Sequence, residues 1–121
     1  MHSPELFPDV ASDPATQAAS WIRTHAPAQA KVAAWGATTA YLSNRPFLSL
    51  EGYLSTPARM ADWLVANQVS YVYADSNLAA TFPGVLPVVD ALAAKGCLMP
   101  VFKDADSVGI LYAIVANCSI Q

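Results

Sequence analysis

The side chains with chemistry to offer gather where three short apolar runs end. Lys31 to Trp35 closes on Trp35-Gly36-Ala37, Phe47 to Leu50 on Glu51-Gly52-Tyr53, and Ser70 to Ala74 on Asp75-Ser76-Asn77. If the runs are parallel strands, these segments share one rim, where open α/β sheets bind their ligands. The rim would offer the carboxylates of Glu51 and Asp75, the Asn77 amide, the Ser76 hydroxyl and the rings of Trp35 and Tyr53. Such a set suits a sugar, whose hydroxyls take carboxylate and amide partners and whose ring faces stack on aromatics. The plainer alternative makes Asp75, Ser76 and Asn77 turn and cap residues and pairs Glu51 with Arg45 across a loop.

Other chemistries find less material. Gly36-Ala37-Thr38 lacks the further glycines of a dinucleotide-binding turn, and no phosphate-loop lysine follows it. Nucleophile-elbow and catalytic-cysteine signatures are absent. His2 and His25 are remote from each other, so with two cysteines they make no zinc site, which needs three or four closely spaced ligands. His25, near the end of the first helical segment, reads as a capping or partly buried histidine rather than a base. Asp104 and Asp106 flank a hairpin tip and read as solvated turn residues. Trp21 and Trp63 fall at core spacing, whereas Trp35 at a strand end is the ring best placed to stack on a ligand. Cys97 and Cys118 are two buried thiols in a reducing compartment and a disulfide candidate in an oxidising one. A bridge would close a loop of about 20 residues and add roughly 3 kcal/mol in the chain-entropy picture.

The elements that must position these residues follow from capping and periodicity. Residues 1–12 hold two prolines and no period and read as an extended lead-in. Asp13-Pro14 starts a helix that runs to about His25, with Ala18, Trp21, Ile22 and His25 toward one face. Lys31 to Trp35 is a strand, Thr38 to Ser43 a short helix, and Phe47 to Leu50 a second strand. Ser55 or Thr56 caps a helix that buries Met60, Trp63 and Leu64 and ends near Asn67. Ser70 to Ala74 is a third strand and residues 78–84 a loop. Leu86 to Lys95 is a helix stopped by Gly96. Leu98 to Lys103 and Val108 to Val115 are joined by so short a turn that they must form an antiparallel hairpin. If Lys103 faces Val108, Cys97 lies opposite Ile114. Alternating strands and helices imply right-handed parallel crossovers. The expected fold is therefore α/β: a mixed, mainly parallel five-stranded sheet with helices on its faces and a C-terminal antiparallel hairpin. The expected organisation is a lead-in over 1–12, one α/β domain over 13–116 and a tail over 117–121.

Composition bounds the function. The 121 residues are 55% hydrophobic and 12% charged, which excludes a disordered chain. The net charge is −3 and the six Lys/Arg are scattered singly, so no basic stripe is available to neutralise a nucleic-acid backbone. The longest apolar run, Val108 to Ala116, is strand-sized and far short of a membrane span, and the N-terminus has no signal-peptide pattern.

The order of motifs resembles a soluble extracytoplasmic module. The motifs are Trp21-Ile22 with Pro27, Val32 to Gly36, Tyr41 to Pro46, Leu50-Glu51-Gly52, and Val69 to Val72. Over about residues 13–115 the sequence is similar to the C-terminal domain of bacterial membrane glycosyltransferases of the dolichyl-phosphate-mannose protein mannosyltransferase (C-type) kind. The resemblance implies membrane helices upstream, with residues 1–12 leaving the last of them, and a location on the periplasmic side. It also implies catalytic acids in membrane loops that this chain lacks. On that reading the domain has no catalytic residue, no cofactor and no metal. Its partners are the transmembrane part of its own polypeptide and a glycan or polypeptide acceptor. Tyr41, Arg45 and Glu51 lie in the matching segment and become the first ligand or interface candidates beside Trp35, Asp75 and Asn77. Two other readings stay open: a free-standing α/β binder or enzyme with its site at the strand-end rim, and a structural or oligomerisation domain.

Overall fold

The structure, a computed structural model, describes residues 14–52, 54–103 and 109–115, with side chains from residue 16 onward. The expected lead-in, the Asp13 cap, Tyr53, the Asp104–Asp106 turn and the tail with Cys118 lie outside the described residues.

The elements follow in the order α1 (Pro14–His25), β1 (Lys31–Ala34), α2 (Thr38–Ser43), β2 (Phe47–Ser49), α3 (Pro57–Ala66), β3 (Val69–Ala74), α4 (Ser76–Thr81), α5 (Leu86–Ala94), β4 (Leu98–Lys103) and β5 (Ile110–Ile114). The sheet order is β2-β1-β3-β5-β4. β1 pairs parallel with both β2 and β3, and β5 runs antiparallel to both β3 and β4. Four strands therefore point one way and β5 alone points back, which is the expected mixed, mainly parallel α/β sheet with a closing hairpin.

Helices cover both faces. Ala18 and Ile22 of α1 and Ala40 of α2 pack with Val32, Ala34, Tyr73 and Leu111 on one side. Met60 and Leu64 of α3, Leu78 of α4 and Val88, Val89 and Leu92 of α5 pack with Ala33, Val72, Leu98 and Tyr112 on the other. Neighbours along a strand point to opposite faces, and for that reason Ala33 and Val32, or Tyr73 and Val72, belong to different clusters.

Local chemistry fixes the ends. Thr56 caps α3, its Oγ1 accepting from Arg59 N at 3.2 Å, with Pro57 in the first turn. Gly96, at φ +82°, ends α5. There Cys97 N donates to Leu92 O at 2.9 Å and Gly96 N to Ala93 O at 3.1 Å, the paired bonds of a Schellman stop. Asn44, at φ 58°, does the same for α2 with Asn44 N→Tyr41 O and Arg45 N→Ala40 O.

Two expectations are corrected. Residues 78–84 are not all loop, because Asp75 caps a six-residue helix whose Leu78 is fully buried. The hairpin register is also shifted. Lys103 pairs with Ile110, Leu98 rather than Cys97 pairs with Ile114, and the ladder slips between Pro100 and Phe102. Pro100 has no N–H to give, and on the edge strand β4 a bulge accommodates it without breaking a central ladder. The Cys97 carbonyl accepts from Val115 N at 2.9 Å instead.

Candidate functional site at the strand-end rim

The chain leaves β1 toward α2 on one face and leaves β3 toward α4 on the other. The carboxyl ends of these neighbouring strands thus form a topological switch point. Three of the sequence-predicted residues, Trp35, Glu51 and Asp75, follow β1, β2 and β3 at this rim. The structure gives them different tasks.

Trp35 is half-buried and meets the Phe82 ring edge-on, with centroids 5.0 Å apart and planes at 84°. Phe82 also lies against Gly52, where a Cβ would come within 2.9 Å of its Cδ1. The rim around the ends of β1 and β2 is therefore closed by an aromatic pair, and Trp35 is a packing residue rather than a free stacking face. Glu51 is half-buried, and its carbonyl accepts from Leu54 N at 3.1 Å in a turn.

Asp75 is the N-cap of α4, its Oδ1 accepting from Leu78 N at 2.9 Å. It also lines a cleft of about 180 Å³ beside the β3 end. The polar groups around this cleft are Asp75, Ser76, Asp90 and Tyr112, and its walls are apolar, from Ala74, Ala79, Leu86 and Ile110. Trp35, Glu51 and Asn77 are not among the cleft's lining residues. Asn77 is exposed in the first turn of α4. Tyr112 is only 6% exposed. Burial first, and the neighbouring Asp90 carboxylate second, hold its hydroxyl above the ordinary tyrosine value.

Asp90 and Tyr112 were not legible as site residues. Asp90 reads as the solvent side of a helix and Tyr112 as one more apolar-run aromatic. Only the packing of α5 on the sheet brings them to the cleft that Asp75 lines.

Arg45 lies at the other end of the sheet and does not pair with Glu51. Its Nη2 donates to Ala26 O at 2.7 Å, and its Nη1 to Ser43 O at 2.8 Å and Asn44 O at 3.2 Å. The reason is topological: Arg45 precedes β2 and Glu51 follows it, so the strand separates them. Lys31 Nζ likewise donates to Asn67 O at 3.1 Å, beyond the end of α3. Cations thus meet helix C-termini at the amino end of the sheet, while Glu51 and Asp75 stand at the carboxyl end.

Tyr41, on α2, is 83% exposed. Trp21 is half-buried and stacks on His25, with centroids 4.2 Å apart and planes at 8°. His25 Nδ1 lies 2.8 Å from Trp21 O, which can only accept. Among the described residues no group of three or more His, Cys, Asp or Glu is placed to hold a metal ion. Nor is any described helix long and apolar enough to cross a membrane. Cys97 is disulfide-bonded, and the sequence has one other cysteine, Cys118. A comparison with protein-family models and with curated proteins finds no match for this chain.

Proposed function

We propose that this chain is a non-catalytic accessory domain of a lipid-phosphate-sugar-dependent membrane glycosyltransferase. In this reading it sits on the extracytoplasmic face and is tethered by membrane helices of the same polypeptide. It works by contact, packing on the membrane part and positioning a glycan or polypeptide acceptor. The reading starts from the sequence resemblance, and one structural observation supports it. Within the family-like segment 41–51, the side chains are either consumed by the fold, as Arg45 is, or turned outward, as Tyr41 and Phe47 are at 83% and 36% exposure. An exposed tyrosine followed by an exposed phenylalanine at an edge strand is surface that a docking partner would cover.

The test uses the protein that carries both the domain and its membrane part. Tyr41→Ala combined with Phe47→Ser is expected to lower sugar transfer from a polyprenyl-phosphate donor while leaving the domain folded by circular dichroism. Unchanged transfer in that variant would overturn the proposal, as would sugar transfer by the isolated domain.

A further inference from the structure

We draw no further inference here: the strongest candidate, the groove of about 580 Å³ along the outer side of α1 between Trp21, His25 and Phe102, carries nothing, because Ser20, Arg23, Thr24 and His25 along it are all exposed and nothing in the structure shows what covers it.

Discussion

The Arg45 guanidinium donates to the Ala26 carbonyl at 2.7 Å, joining the turn between α2 and β2 to the residue that follows α1. The same side chain reaches back to Ser43 and Asn44 at the end of α2. One cation therefore ties two helix termini together where their carbonyls have no helical partner. Arg23 Nη1 lies 3.5 Å from Leu42 O in the same region. The Arg45-Pro46 sequence is in this structure a device for closing one layer of helices onto the sheet.

Arg45→Ala is expected to destabilise the fold by about 1.5–3 kcal/mol, the range for hydrogen bonds made by a charged group. Arg45→Lys should recover only part of that loss, because a single ammonium cannot reach carbonyls on two sides as the fork does. Urea unfolding followed by fluorescence checks both. Equal stability of the Ala variant and the parent would show that the carbonyls are as well served by water.

Gly52 and Phe82 form the second dependency. Gly52→Ala would put a Cβ 2.9 Å from Phe82 Cδ1, and the ring is held from another side by Trp35. Overpacking of this kind costs about 1–3 kcal/mol. Phe82→Ala removes the obstacle, so the double variant should be more stable than the sum of the two single losses implies. A thermal double-mutant cycle measures that coupling. Strict additivity would mean that the ring swings away freely.

The sheet and its helices were legible because each element carries its own punctuation. Pro57 after Thr56, Gly96 after Lys95, and the close of the run Ser70 to Ala74 at Asp75-Ser76-Asn77 each state a boundary. The short α4 was not, since Asp75-Ser76-Asn77 reads equally as a turn and as a cap, and Leu78 is a single anchor without a second turn of period. The hairpin register was missed at its tip, where Lys103 pairs with Ile110, two residues beyond Val108; the slip between Pro100 and Phe102 takes back one of the two, so that Leu98 rather than Cys97 meets Ile114. At the rim, Asp75 was legible and Trp35 was placed correctly in the chain. That Trp35 would meet Phe82 depends on α4, so its role could not be read before that helix was known. The approach of Asp90 to Tyr112 needs the packing of α5 on the sheet, an arrangement of residues distant in sequence that no local pattern encodes.

Asp75 has two roles that substitutions can separate. Asp75→Ala removes the acceptor for Leu78 N and should cost about 1 kcal/mol, the usual loss of an N-cap. Asp75→Ser keeps a capping oxygen and should recover most of that stability while removing the charge from the cleft. Chemical denaturation of the two variants separates the cap from the charge. A Ser variant as unstable as the Ala variant would show that the charge itself, rather than the cap, sets the stability.

Tyr112 gives the fold an alkaline weakness. Burial, and secondarily the Asp90 charge, raise its hydroxyl above the ordinary value of 10.0. The native state therefore keeps this proton at a pH where the unfolded chain has released it. With more protons bound to the folded form, stability falls as pH rises. The contribution is whole below about pH 10 and is lost between there and the higher native value. Tyr112→Phe has no proton to lose, so its stability should decline less steeply than the parent's from about pH 9 upward. The difference between the two curves isolates Tyr112 from the other tyrosines and the lysines. Asp90→Asn removes only the smaller cause, so tyrosinate absorbance of Tyr112 should titrate lower than in the parent yet still above its ordinary value. Parallel alkaline curves for the parent and Tyr112→Phe would show that the hydroxyl is as well solvated in the folded chain as in the unfolded one.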